Sequence, residues 1–267
     1  MNSLVAVIIP LYKTQLSHLE EIAVKQCFNI LSQHKIIALK PKSLSLDLYN
    51  FKFNEEVSFD DSYFKDIAGY NNLMLSAEFY ERFLEYQFIL IYQPDAFVFK
   101  DDLVKWCQEG YDYVGAPWLR PAEYPDIFKK IKNKIRKYLH IKNNTKQNNS
   151  LIPTSLQFEN GVGNGGFSLR RTRRFFEICK NSRDIINQYN NRHEDFFNED
   201  AFWSIEVNRK KKQLNIPNYK KAVFFSIENN YEYGFRLTNG KLPFGCHSWD
   251  KHLNFWGPIF KQNGTVI

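Results

Sequence analysis

Residues 88–99 read FILIYQPDAFVF, an apolar run interrupted at Gln-Pro-Asp and then resumed. The aromatic and β-branched side chains at 88–92 suit a strand covered on both faces, the kind found in parallel α/β sheets. Pro94 lacks the N–H that a central ladder needs, so the strand must stop there. Asp95 then emerges at the strand's carboxyl end, where open α/β sheets bind ligands. A carboxylate in that position suits a metal-bound diphosphate. It equally suits an ordinary turn after a core strand.

The rest of the chain supplies the neighbours such a strand requires. Val5–Pro10 (VAVIIP) predicts a second buried strand ended by proline. Leu16–Leu31 follows with Leu19, Ile22, Ala23, Phe28 and Ile30 at helical spacing, and Thr14 or Ser17 can cap it. Ile36–Leu39 is a further short strand, which completes a parallel βαβ opening. Ser62–Tyr86 predicts helix with a break at Gly69, Ala96–Phe99 a short strand, Asp101–Glu109 a helix and Tyr113–Ala116 a strand. The pattern resumes with a strand at Gly166–Arg170 and helices at Arg171–Asn181 and Glu199–Arg209, and the tail from Leu242 reads as a loop closing over a site. The expected fold is α/β, with a Rossmann-like mixed, mainly parallel sheet flanked by helices. It forms a single domain over 1–267, interrupted by a Pro-, Lys- and Asn-rich insertion at 119–155.

Charge is concentrated in that insertion. Residues 128–150 hold Lys129, Lys130, Lys132, Lys134, Arg136, Lys137, Lys142 and Lys146 and no acid, while the whole chain carries +7, so the body is nearly neutral. Phe128, Ile131, Ile135, Tyr138 and Leu139 fall on one face of a helix near Ile127–Leu139, followed by an Asn-rich tail expected to be flexible. An interfacial helix over 127–142 touching anionic lipid and a solvated mobile loop both fit this pattern. The charge lies in one segment without interleaved aromatic pairs, so nucleic-acid binding is not expected. The aromatic share of 16% suits both cores and stacking surfaces for flat rings.

Cys27, Cys107, Cys179 and Cys246 are far apart and lie among apolar residues, which predicts buried free thiols in a reducing cytoplasm. Met1–Pro10 shows no basic leader or cleavage pattern, and no run is long and apolar enough to span a bilayer. The expected location is cytoplasmic, peripheral at the inner membrane face if the basic helix binds lipid.

Three later segments could join Asp95 in chemistry. Gly161, Gly163, Gly165 and Gly166 crowd one loop before a strand. They allow either close approach to a bulky ligand or a tight turn. No Gly-Lys-Ser/Thr follows, so the loop is not a P-loop. Phe197-Asn198-Glu199-Asp200 places two carboxylates at a helix start, where acids favour the helix dipole or act as general base. Phe244-Gly245-Cys246-His247 sets an imidazole among small and aromatic residues; imidazole suits Mn²⁺ and later metals, whereas Mg²⁺ prefers oxygen. The remaining histidines (His18, His34, His140, His193 and His252) lack the spacing of common zinc motifs.

The order of these segments resembles the nucleotide-sugar glycosyltransferases of the GT-A fold. QPDAFVF, VGAPW, GNGGFSLR, NEDAFW and PFGCHSW together resemble an uncharacterised bacterial glycosyltransferase-like family. The resemblance covers most of the chain except 119–155. It implies transfer of a sugar from a nucleoside diphosphate donor to a hydroxyl of a glycan or lipid-linked glycan, as in surface polysaccharide synthesis, with inversion. Asp95 matches the second Asp of the family's DxD motif, Gly165 and Gly166 its glycine loop, Glu199 and Asp200 its xED motif, and His247 its late histidine. The resemblance thus implies Asp200, or next Glu199, as base, and Asp95, His247 and Gln93 as ligands of Mn²⁺ or Mg²⁺. It implies Pro10, Tyr12, Lys40, Gln93, Asp95, Gly165 and Gly166 as donor contacts. Gln93 stands where the motif has its first Asp, which removes one charge from the metal shell. Lys13, Lys40, Arg170 and Lys251 are therefore candidates to stabilise the diphosphate directly. The same departure motivates an alternative: a catalytically silent carbohydrate- or nucleotide-binding protein on this scaffold.

Overall fold

The computed structural model describes residues 3–120, 123–192 and 194–264. His193 thus lies outside the described residues. The main sheet has six strands: β1 (Ser3–Pro10), β2 (Lys35–Pro41), β3 (Glu55–Phe59), β4 (Tyr86–Tyr92), β6 (Tyr113–Val114) and β7 (Phe167–Arg171), in the order β3-β2-β1-β4-β7-β6. β3, β2, β1 and β4 pair in parallel, whereas β7 runs antiparallel to both β4 and β6. This is the mixed, mainly parallel α/β sheet expected from the sequence. The opening βαβ unit is β1, helix α1 (His18–Ile30) and β2, with Ser17 as the cap in a reciprocal box with Glu20.

The alternation of β4 explains why both faces are covered. Ile89 and Ile91 enter one core with Phe79, Phe83, Phe175 and Trp203, while Phe88, Leu90 and Tyr92 enter the other with Val24, Cys27 and Trp106. A second, three-stranded sheet of β5 (Ala96–Val98), β8 (Ser226–Ile227) and β9 (Gly245–His247) packs through Phe97, Trp249, Trp256 and Phe260. All four cysteines are buried and free. No helix among the described residues is long and apolar enough to cross a membrane.

Several expectations are corrected. Residues 62–86 are not one broken helix: a 3₁₀ turn (Asp61–Phe64) precedes α2 (Ile67–Met74) and α3 (Ala77–Glu81), and β4 already begins at Tyr86. Gly69 lies inside α2, its N–H donating to the Asp66 cap at 2.7 Å. A Cβ there would come within 2.5 Å of the Ser62 carbonyl, so this glycine permits the 3₁₀ turn to touch the helix. The tail after Leu242 is not loop alone, since it forms β9, a 3₁₀ turn (Trp249–His252) and a helix (Leu253–Gln262). The Asn-rich tail of the insertion is folded back: Lys146 bridges Pro153, and Thr154 N–H donates to the Thr145 carbonyl at 3.0 Å. Asn144 and Asn149 adopt positive φ there, which their short side chains tolerate and tight turns need.

Candidate active site

The topology delivers distant segments to one sheet edge. β4 ends at Tyr92 and the antiparallel β7 begins opposite it at Phe167, so Gly166 faces Gln93, whose N–H donates to the Gly166 carbonyl at 2.8 Å. The turn at Gln93–Ala96 then feeds β5, and its pairing with β9 sets Ala96 against His247, next to Asp95. A cleft of about 920 Å³ results, lined among others by Pro10, Tyr12, Gln93, Asp95, Gly165, Gly166, Glu199, Asp200 and His247. The four segments singled out in the sequence therefore share a single crevice.

Gly166 is where close approach is compulsory. A Cβ would lie 2.0 Å from His247 Nε2 and 2.5 Å from Gln93 Oε1. Gly166→Ala is expected to push both side chains aside and, if the crevice takes the donor that the resemblance implies, to weaken its binding by about a hundredfold, as an ångström of misplacement can do in a preorganised site. Isothermal titration with a nucleotide sugar checks this, and unchanged affinity would refute the close-fit role.

His247 is gripped from both sides. Its Nε2 lies 3.1 Å from Asp95 Oδ1 and 3.2 Å from Gln93 Oε1, and its Nδ1 lies 2.9 Å from Glu228 Oε1. Burial opposes charge on this ring, but Asp95 and Glu228 outweigh it and push its pKa up to about 10. Asp95 shows the reciprocal balance: burial raises its pKa, and the facing imidazolium brings it below the ordinary value. Among the described residues no three His, Cys, Asp or Glu side chains cluster as a metal set. With the Gln93 amide oxygen as third donor, Asp95 and His247 would hold a divalent cation only by exchanging the Nε2 proton of the imidazolium for it. Glu228 at Nδ1 orients the imidazole and would be the outer carboxylate if the ring held a metal.

Glu228 carries no recognisable motif, and the parallel pairing of β8 with β9 alone brings it to His247. If the crevice takes the metal and donor that the resemblance implies, Glu228→Gln is expected to lower metal-supported donor affinity by about 10–100-fold. Titration in Mn²⁺ checks it, and wild-type affinity would assign Glu228 no part in the site.

The two adjacent acids divide sharply. Glu199 is buried with Oε1 2.9 Å from Arg170 Nη2, and the guanidinium also donates to Tyr80 Oη (2.8 Å) and Ser168 Oγ (3.0 Å). A Cβ on Gly165 would strike Glu199 Oε1 at 2.1 Å, so this glycine makes room for the pair. Burial raises the Glu199 pKa while Arg170 opposes that rise. Arg170 thus holds Glu199, the second-choice base, through its Oε1. Asp200 makes no ion pair among the described residues; its Oδ1 accepts from Ala201 N–H at 2.8 Å. Desolvation first, then Glu199 and Glu228, push its pKa up to about 7. Its helix (Glu199–Ala201) continues through a π-turn (Phe202–Glu206) to Arg209, within the predicted bounds.

Two of the four cation candidates are corrected. Lys40 does not line the cleft: its ammonium donates to the Leu44 carbonyl at 2.5 Å and lies 3.6 Å from Glu56. The residue that the resemblance implies as a donor contact thus lies outside the cleft's lining. Arg170 is sealed in the core with Glu199. Lys13 lines the cleft but pairs with Glu20 at 2.7 Å. Lys251 lines it exposed, as does Lys65, which the sequence pattern did not single out.

A family model described as Protein of unknown function (DUF5672) matches residues 54–247. The chain belongs to the DUF5672 family. That match takes in β3 through β9 and most of the cleft's lining. No curated protein matches the chain. Among solved structures, the galactosyltransferase LgtC in complex with donor and acceptor sugar analogues is 13% identical, with 91% of this chain and 86% of that chain covered at a TM-score of 0.52. The glycosyltransferase GlyE of Streptococcus pneumoniae TIGR4 is also 13% identical, at a TM-score of 0.47 with 92% of this chain covered. The chain spans about half of GlyE, 55% of its length. The likeness to LgtC shows a glycosyltransferase-like fold in this DUF5672 member.

Proposed function

We propose that the protein transfers a sugar from a nucleoside diphosphate donor to a hydroxyl of a glycan acceptor. One observation carries the reading: a carboxylate with its pKa raised to about 7 shares a crevice with the Asp95–His247–Gln93 donor set at the carboxyl edge of the sheet. Pro10 and Tyr12, at the end of β1, would face the nucleotide base, with Tyr12 half exposed for stacking. Gly165 and Gly166 would let the donor lie against backbone. Asp95, His247 and Gln93 would hold Mn²⁺ or Mg²⁺, which when bound would spread the negative charge of the departing diphosphate. Lys251 and Lys65 could add charge at the same edge.

Asp200 would take the proton of the acceptor hydroxyl as that oxygen attacks the anomeric carbon. The C–O bond to the diphosphate breaks as the new glycosidic bond forms, and attack in line with the leaving group inverts the anomeric centre. Glu199, locked by Arg170, would fix the position of Asp200 rather than share its proton.

The test is a thermal-shift screen of nucleotide sugars with and without Mn²⁺, followed by NMR of products formed with hydroxyl acceptors. Stabilisation by one donor class and a product of inverted configuration are expected. Donor binding without hydrolysis or transfer would return the protein to the silent-binder reading that Gln93 motivates.

A further inference from the structure

The helix Ile127–Lys142 is mounted the wrong way round for an ordinary surface helix. Such a helix turns its apolar stripe to the core and its charges to water. Here the side fastened to the protein is polar. Asn133 Nδ2 donates to Glu159 Oε1 at 3.0 Å, Lys137 Nζ to the Glu159 carbonyl at 2.6 Å, and His140 Nδ1 lies 2.8 Å from Thr154 Oγ1. Arg209, at the far end of the helix that begins with Glu199 and Asp200, donates to the Ile141 carbonyl and to Gln157 Oε1. At helical spacing, Ile127, Phe128, Ile131, Ile135, Tyr138 and Leu139 share the other side, and every one is exposed: Phe128 80%, Tyr138 61%, Ile127 59%. Lys130 and Lys134 border that stripe on one flank and Lys132 and Arg136 on the other.

We propose that this face docks on an anionic lipid surface, with the helix lying in the plane of the interface. The apolar stripe would enter the acyl boundary while the flanking lysines and Arg136 meet lipid phosphates. Charge complementarity selects this occupant. A second copy seated by two-fold symmetry would bring the same lysine-rows against one another with no acid in 128–150 to answer them. The fastening through Glu159, Thr154 and Arg209 makes the helix part of the body, so docking would set the orientation of the whole domain on the surface.

Co-sedimentation with vesicles of phosphatidylcholine alone and of phosphatidylcholine with phosphatidylglycerol tests the proposal. The full chain is expected to pellet with the anionic vesicles, to remain in solution with the neutral ones, and to be released by salt. The double substitution Ile131→Glu/Ile135→Glu is expected to weaken binding more than about tenfold, and Lys132→Gln/Arg136→Gln by about fivefold per charge removed. These side chains face water, so melting temperature and nucleotide binding should stay at wild-type values in both variants and report a folded protein. Equal partition to neutral and anionic vesicles, or undiminished binding by the Glu variant, would overturn the proposal. So would a wild-type dimer that the Glu variant dissociates without any vesicle binding, an outcome that would assign the face to a second copy. Donor binding reads out separately, so this test can fail while the transferase reading stands, and the reverse.

Discussion

Replacing Asp200 with asparagine is expected to lower the transfer rate by about 10²–10⁴-fold, the contribution of a positioned general base, while donor affinity changes little. Asparagine keeps the shape and the hydrogen bond from Ala201 but cannot accept a proton. Wild-type kcat/KM should rise with pH to a plateau with a midpoint near 7, the value to which desolvation, Glu199 and Glu228 lift this carboxyl. The variant should lose that limb. Stability should move the other way. The folded-state pKa lies above the ordinary aspartate value of 3.8, so the native chain holds this proton more tightly than the unfolded one. The resulting stability is fully present below the unfolded value and is lost as pH rises through 7. At pH above that window Asp200→Asn should melt about 2–4 °C higher than wild type, the shift that relief of about 1 kcal/mol brings in a chain of this size once partial exposure is discounted. Nucleotide affinity lost in parallel with turnover would remove Asp200 from the role of base.

The largest structural effect is expected at the buried Arg170–Glu199 pair. Glu199→Gln preserves volume yet leaves a guanidinium uncompensated in the core, which should cost about 3–5 kcal/mol and lower Tm by roughly 10 °C. Combining Arg170→Met with Glu199→Leu should recover much of that loss, because removing both charges spares each its desolvation. Chemical denaturation of Arg170→Met, of Glu199→Leu and of their combination gives the coupling directly. A loss below about 1 kcal/mol for Glu199→Gln would mean that the pair behaves like an exposed one. Activity adds a second readout: if Glu199 only positions its neighbour, its loss should leave the pH midpoint of the surviving activity governed by Asp200.

What could be read from the chain divides along physical lines. A proline ends β4 whatever surrounds it, so the placement of Asp95 at a strand's end followed from covalent structure alone. The glycine loop was equally legible, since Gly165 and Gly166 sit where a Cβ would collide with Glu199 and His247. The role of Glu228 was not, because its meeting with His247 depends on two short strands pairing, and neither carries local pattern enough to announce the other. Arg170 misled for the opposite reason. A lone arginine in an apolar strand looks like an exposed cation, and only the fold supplies the glutamate, the tyrosine and the serine that hold it inside. Lys40 erred likewise, its local carbonyl partner at Leu44 being invisible to periodicity. The edge strand β3 escaped notice because Glu55 and Glu56 face water and only Val57 and Phe59 turn inward.

The excursion that carries the basic helix is closed at its base. Trp118 N–H donates to the Gly161 carbonyl at 2.8 Å, Asn160 N–H donates to the Trp118 carbonyl at 2.8 Å, and Pro117 bridges Val162. This clasp fixes the entry to the glycine loop independently of what lies beyond it. The clasp sets where the excursion leaves and rejoins the body, while Arg209 ties its far end to the helix that carries Asp200, so a lineage that rewrites what the domain rests against must keep both anchorages if the crevice is to stay aligned.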